Sequence, residues 1–283
     1  ERDIYAPNED LKRIQKRINY YLQAFYLCIK PEEVHGFVIN PNYLETTCNI
    51  VANAKVHTQK KYVLNVDLKD FFSSITAKQV KALFTSTYFQ FEENIANALT
   101  FLTSYQGKLP TGSPTSPVIS NFVCLQLDSD LRKFSISHEL SFTRYADDLT
   151  FSSNYPISTD NILDIINIIK VNHFTVNSKK LRLISSVRKQ TVTGLVVNEK
   201  VNIDRKILKQ IRAMLHHLNT EGLKAATQKH LNLKGEPSQR AKNLFLNRIE
   251  GYVNFVGQVR GKKDDLYSKF SKSIVAFYEN SKD

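Results

Sequence analysis

The sequence predicts an α+β fold in which an antiparallel sheet is followed by a largely helical, basic portion. Three observations lead there. The run Tyr62-Val-Leu-Asn-Val-Asp67 and the two runs flanking Asp147-Asp148, within Phe142-Thr-Arg-Tyr-Ala-Asp-Asp-Leu-Thr-Phe151, are apolar and β-prone, which reads as one strand and one hairpin. Helical spacing returns between and after them, giving the order strand, helices, hairpin, helix, short strands. From Asp204 onward the pattern is almost wholly helical. With 283 residues the chain has enough length for a substantial core and two or three subdomains.

The elements follow in order. From Asn8 to Ile29 the positions Leu11, Ile14, Ile18, Tyr21, Leu22 and Phe25 recur at helical spacing, with Lys12, Arg13, Lys16 and Arg17 on the other side, an amphipathic helix. Pro31, Gly36 and Pro41 interrupt the chain, Tyr43 to Gln59 reads as helix again, and Lys60-Lys61 opens the strand that carries Asp67. Ser73-Ser74-Ile75-Thr76 offers an N-cap for a helix to about Phe84, and Glu92 to Tyr105 is a second. Gly107 to Pro117 packs two Gly and three Pro into eleven residues, a rigid loop outside regular structure. Val118 to Phe134 is a long helical pattern. After the hairpin come a helix near Thr159 to Val171 and short strands around Leu181 to Ile184 and Gln190 to Val197. Gly235-Glu-Pro237 and Gly261 interrupt the helical tail.

Composition narrows the function. Cys28, Cys48 and Cys124 form no CxxC and are odd in number, which argues against a disulfide framework or zinc site and fits a reducing, cytoplasmic setting. No apolar run reaches the roughly 18 residues that span a bilayer, so no membrane partner is expected. The start, Glu-Arg-Asp-Ile-Tyr, has neither a Met nor an apolar leader segment, and reads as a fragment or processed form. Net charge is +12, and residues 179–283 hold 22 Lys+Arg against 9 Asp+Glu, while residues 1–178 hold 17 against 18. A neutral front and a basic back suit a polyanion, nucleic acid above all. A solvated basic face is the competing explanation.

Three carboxylates, Asp67, Asp147 and Asp148, stand at strand ends. Mg2+ prefers hard carboxylate oxygens, and two such ions roughly 3.5–4 Å apart activate a 3′-hydroxyl and stabilise a pyrophosphate leaving group. Asp128 to Asp130 and Asp264-Asp265 read as solvated or helix-start acids. A βαββ order places the first strand beside the hairpin, so residues 80 positions apart converge.

Tyr-Ala-Asp-Asp at 145–148, Asp-Leu-Lys-Asp-Phe-Phe at 67–72 and Leu-Pro-Thr-Gly-Ser-Pro-Thr-Ser-Pro-Val-Ile-Ser-Asn at 109–121 resemble, in order and spacing, the motifs of bacterial reverse transcriptases. Asn53-Ala-Lys-Val-His57, Val192-Thr-Gly194, Arg2-x-Ile-Tyr-x-Pro7 and the stretch Gly251 to Gly261 are similar to elements of the retron type, which usually begins some tens of residues earlier. The resemblance implies a right-hand polymerase: incomplete fingers at 1–60, an antiparallel-sheet palm with inserted finger elements at 61–203, and a helical basic thumb at 204–283.

It also implies roles. Asp67, Asp147, Asp148 and the Leu68 carbonyl are expected to ligate two Mg2+ ions, with Mn2+ as substitute. Phe72 is expected under the incoming sugar, where its ring excludes a 2′-hydroxyl; a core aromatic is the other reading, with Phe71 and Phe72 facing opposite ways as strand residues do. Gly112 lets the backbone approach nucleotide and template, and Thr111 stands where Gln is usual. Arg2 is expected on the triphosphate. Lys180 is expected either as general acid to pyrophosphate or as a surface or phosphate-contacting lysine. Asn53 belongs to the element that touches RNA, and His57 is either an RNA contact or a satisfied helix histidine. Val192, Thr193 and Gly194 fall at the primer grip, and Arg205, Arg212, Arg248 and Arg260 along the template–primer. Neutralising about six phosphates implies an affinity loss on the order of 10³-fold between 50 and 200 mM salt.

The implied partners are a cognate structured noncoding RNA that is both template and primer, its DNA product, deoxynucleoside triphosphates, and an effector or toxin protein in phage defence. Two rivals remain at this level: an intron-encoded or CRISPR-associated reverse transcriptase, and an RNA-binding scaffold or antitoxin with vestigial catalysis.

Overall fold

A computed structural model describes residues 4–40 and 47–280. The chain forms two compact units, Glu1–Thr193 and Gly194–Asp283.

In the first unit, α1 (Glu9–Ile29) starts where the Asn8 side chain accepts the Leu11 amide at 2.9 Å, a side-chain N-cap. It buries Leu22 and Tyr26. The helix expected over Tyr43 to Gln59 is shorter: α2 spans Ile50–Lys55 because Asn49 caps the Val51 and Ala52 amides, and Gln59 turns left-handed at φ 60°. Residues 41–46 lie outside the described residues. β1 (Tyr62–Asp67) is followed by a single helical turn, α3 (Phe71–Ser74). Phe71 and Phe72 are therefore not strand residues: Asp70 enters the left-handed region at φ 49°, which a short polar side chain tolerates, and the chain coils there.

α4 (Ala77–Thr85) carries a reciprocal capping box between Thr76 and Gln79, and α5 (Glu93–Thr103) follows. The loop expected to reach Pro117 ends sooner, because Pro117 sits in the first turn of α6 (Ser116–Val123), where its missing N–H costs nothing. The expected long helix breaks at Cys124, and α7 runs Leu125–Ser137. The hairpin is β2 (Ser141–Tyr145) and β3 (Asp148–Ser153). Then come α8 (Thr159–Val171), capped by Ser158, β4 (Arg182–Ser185) and β5 (Thr191–Val192).

The strands of the main sheet lie in the order β2-β3-β1-β4, every neighbour antiparallel. β1 and β3 are the inner pair and bury Val63, Leu64, Val66, Leu149 and Phe151, and β3 also buries the small hydroxyl side chains of Thr150, Ser152 and Ser153, so only β1 reads as a nearly continuous apolar run. Phe142 stacks on Phe151 at 4.9 Å between ring centres.

His57, just past α2, is fully buried, with Nδ1 2.7 Å from Ser152 Oγ and Nε2 2.8 Å from Thr143 Oγ1. Burial, with the charge of Lys60 as a lesser cause, lowers its pKa to about 3. The folded protein thus keeps it neutral while the unfolded chain protonates near 6.5, so its contribution is complete above pH 6.5 and declines toward pH 3. Stability is expected to fall by about 1.4 kcal/mol per pH unit from this group between pH 6 and 4. Urea midpoints for wild type and His57→Gln across that range check it, and parallel slopes would refute the assignment.

The second unit holds β6 (Leu195–Val196), α9 (Arg205–Leu231), α10 (Gln239–Arg260) and α11 (Asp265–Asn280). α9 is two helical segments, because Gly222 adopts φ 80°, ψ 170°, a conformation for which glycine is suited. Phe245, Ile249, Val253 and Val256 give α10 a buried apolar stripe. Among the described residues no helix is long and apolar enough to cross a membrane.

Candidate active site

The register of the sheet brings the predicted acids together. Asp67 ends β1 and pairs with Asp148, which begins β3, and the Leu68 amide donates to the Asp147 carbonyl at 2.9 Å. Both oxygens of Asp67 are engaged: Oδ2 accepts Lys180 Nζ at 2.7 Å and Oδ1 accepts Asn177 Nδ2 at 3.1 Å. The Asp67 bond holds the half-exposed Lys180 ammonium above its usual range. Partial withdrawal from water, then the charges of Asp147 and Asp67, push the Asp148 carboxyl up to about 6 despite Lys180. Three hard oxygen donors that resist sharing one another's charge fit a divalent cation. Among the described residues no three His, Cys, Asp or Glu side chains are already drawn together around one point.

Beside the acids lies a cavity of about 510 Å3, walled by Tyr5, Phe37, Phe72, Tyr105, Thr111 and Asp147 among others. The two phenylalanines share the helical turn and both reach the cavity wall, but they differ in burial. Phe71 is buried and lies 5.8 Å from the ring of Phe174, while the half-buried Phe72 stacks on Phe37 at 5.7 Å and faces the cavity. Thr111 fixes the opposite wall by accepting the Tyr5 amide at 2.8 Å. Gly112, at φ +112°, is required by the chain itself: an added Cβ would lie 3.0 Å from Ile4 Cγ2 and 3.2 Å from the Tyr5 carbonyl.

Beneath the acids, sequence reasoning missed a charged core. Arg144 and Asp128 are both fully buried and joined by two bonds of 2.6 and 2.7 Å, so of the two readings of Asp128 the solvated one is corrected, while its place in the first turn of α7 agrees with a helix-start acid. Burial opposes the charge on Arg144, but Asp128 outweighs it and holds the guanidinium more firmly protonated. Arg144 Nη1 also donates to Asn121 Oδ1 at 3.0 Å and to the Ala146 carbonyl at 3.2 Å. On the other side Gly36 packs so closely that an added Cβ would stand 2.4 Å from the Ala146 nitrogen. Gly36→Ala is therefore expected to displace the turn, costing about 1–3 kcal/mol in overpacking and about 10²-fold in turnover through misplaced acids. Thermal melts and single-nucleotide turnover check this, and unchanged turnover would refute it.

A family model described as reverse transcriptase (RNA-dependent DNA polymerase) matches residues 2–236. The chain belongs to the reverse transcriptase family. Retron Ec86 reverse transcriptase of Escherichia coli is 35% identical over 77% of this chain and 65% of its own length. Retron Mx65 reverse transcriptase of Myxococcus xanthus is 30% identical over 75% of this chain and 52% of its own. Retron Ec73 reverse transcriptase of Escherichia coli is 31% identical over 83% of this chain and 76% of its own, which establishes the retron type. The chain thus spans about half to two thirds of the length of the first two relatives. A solved telomerase from Candida albicans, in complex with a fragment of telomeric RNA, shares the fold with a TM-score of 0.52 at 11% identity, covering 94% of this chain and 56% of that one. The right-hand α+β fold expected from the sequence is the one observed, and divalent-metal dependence is general to the family.

The remaining expected site residues of this reverse transcriptase divide. Arg2 lies outside the described residues. Asn53 and His57 are both buried, and His57 is held between the hydroxyls of Ser152 and Thr143, the satisfied-histidine alternative. Val192 is buried, while Thr193 donates to the Ile50 carbonyl at 3.3 Å and Gly194 is exposed at φ +81°. Arg205, Arg212 and Arg248 are exposed on the basic helices, with Arg248 5.8 Å from the Tyr252 ring centre. Arg260 is corrected: its fork grips Asp264 with two bonds of 2.9 Å and Asn202 with one of 2.8 Å, so it closes a structural network. Asp264 in turn caps the Leu266 and Tyr267 amides, as expected of a helix-start acid.

Proposed function

We propose that this reverse transcriptase is an RNA-directed DNA polymerase that copies a cognate structured noncoding RNA into branched multicopy single-stranded DNA. The observation that carries the reading is the meeting of Asp67 with Asp148 at opposed register positions, beside a cavity walled by Phe72 and Thr111. Asp67, Asp147, Asp148 and the Leu68 carbonyl hold two Mg2+ ions, or Mn2+ in their place, which supply the charge neutralisation that nucleotidyl transfer needs.

The chain's own residues do the rest. Phe72 seats the deoxyribose and excludes a 2′-hydroxyl. Thr111 and Gly112 line the nucleotide, with Arg2 on its phosphates, and Val192 to Gly194 steady the primer. Lys180 holds a proton at Nζ for the departing pyrophosphate. Residues 1–60 serve as fingers, 61–203 as palm and 204–283 as thumb, with Arg205, Arg212 and Arg248 along the template–primer backbone. The RNA supplies the primer as a guanosine 2′-hydroxyl. The retron type extends the proposal to an effector or toxin partner and a role in phage defence in the cytoplasm.

The test is Mg2+-dependent deoxynucleotide incorporation on RNA co-purified with the full-length protein, for wild type and Asp147→Asn/Asp148→Asn, with the product treated by debranching enzyme. The reading expects incorporation lost in the variant and a debranching-sensitive product. Extension only from ordinary 3′ ends would remove the branched product from it, and RNA binding without incorporation would favour a scaffold.

A further inference from the structure

We propose that Arg144, held in place by Asp128 and Asn121, is the positioning residue that fixes the Ala146 turn and so aims Asp147 and Asp148; this rests on the polymerase reading of that site. Ala146 adopts φ 58°, a left-handed conformation in which its Cβ crowds the following carbonyl. Something must hold it there. Arg144 Nη1 reaches the Ala146 carbonyl at 3.2 Å, two residues along its own strand end, while the rest of the guanidinium is locked by Asp128 on α7 and Asn121 on α6.

The main chain of the same residue is pinned as well. The Arg144 amide donates to the Glu33 carbonyl at 2.9 Å and its carbonyl accepts the His35 amide at 3.0 Å. Asn121 closes the ring by donating Nδ2 to the Gly36 carbonyl at 3.0 Å. Gly36 then presses its bare Cα face against the Tyr145–Ala146 peptide, and the next residue, Phe37, stacks on Phe72 in the nucleotide cavity. One guanidinium thereby sets both the acid turn and the wall opposite it.

Stability alone does not account for a dry ion pair at this place, since apolar residues of similar volume often serve a fold as well or better. A planar fork of five donors, which lysine lacks, accounts for it through geometry. The double variant Arg144→Met/Asp128→Leu removes both buried charges together, and Arg144→Lys keeps the charge on Asp128 while losing the fork.

Single-nucleotide incorporation by the full-length protein on its co-purified RNA separates the possibilities, read with melting temperature, RNA affinity and the KM for deoxynucleotide. The expected result is a double variant that folds and binds RNA, with KM little changed and kcat reduced about 10²-fold. Arg144→Lys is expected to shift kcat the same way, and it carries the test if the double variant does not fold. A folded variant of either kind with wild-type kcat would overturn the proposal. Wild-type protein that incorporates no nucleotide would instead sink the polymerase reading beneath it.

Discussion

Asp148→Asn is expected to cut deoxynucleotide incorporation by about 10³-fold or more, equivalent to roughly 4 kcal/mol of barrier, without unfolding the protein. The carboxylate stands at the exposed start of β3, where its backbone pairs with Asp67 and Tyr145 whatever its charge. Its pKa is raised to about 6, first by loss of water and then by Asp147 and Asp67. The sign of the linkage follows: a carboxyl easier to protonate in the folded state weakens the metal-free fold as pH rises from about 4 through 6. Replacing it with a neutral amide therefore leaves melting unchanged or slightly raised at pH 7 without Mg2+, the reverse of a structural lesion. Mg2+ protection against thermal unfolding is expected in wild type, weaker as pH drops below about 6, and strongly reduced in the variant. A variant that melts early and regains activity on cooling would contradict this account.

Phe72→Ala is expected to relax discrimination against ribonucleotides by about 10²-fold, the scale on which a pocket separates substrates that differ by one hydroxyl. The ring lies on Phe37, on the wall of the cavity that also holds Asp147 and Thr111, so removing it opens space without touching the acids. The readout is the ratio of kcat/KM for a deoxynucleotide to that for its ribonucleotide. A ratio cancels any general loss of folded enzyme, which matters because a half-buried aromatic also contributes packing. Phe71→Ala is the contrast: buried beside Phe174 although it also touches the cavity wall, it is expected to lose about 3–5 kcal/mol of stability and to move the ratio less than Phe72→Ala does. If both variants leave the ratio unchanged, the cavity does not seat the sugar.

Much of this site was readable from the chain because strands and caps leave local marks. The acids could be placed because Asp67 ends the apolar, β-prone run of β1 and Asp147-Asp148 stand between the aromatic and β-branched residues of β2 and β3. Thr76 with Gln79 and Ser158 with Asn161 start their helices by side-chain bonds that span three residues. What stayed hidden depends on distant partners. Nothing near Arg144 in sequence announces that Asp128 will neutralise it inside the core, since charged residues are ordinarily outside. His57 likewise finds its hydroxyl partners 86 and 95 residues away. Arg260 is a different case, because it closes α10 and its partner Asp264 lies beyond the Gly261 break at the start of α11, so the pair depends on the turn between two helices. The single turn holding Phe72 was missed because a left-handed Asp70 is a backbone event with no pattern of its own.

The strand order has a consequence for how the enzyme comes into being. β1 lies between β3 and β4, and both of its neighbours are made long after it: Asp67 precedes Asp147 by 80 residues and Lys180 by 113. At a synthesis rate of about 5–20 residues per second, the central strand waits roughly 4–16 s for its first neighbour. Through that interval its two open edges invite pairing with other chains, a hazard that the hairpin removes from one edge and β4 from the other. The nascent chain therefore has no half-built candidate site: carboxylates, turn and countercharge come together only after the last of them has left the ribosome.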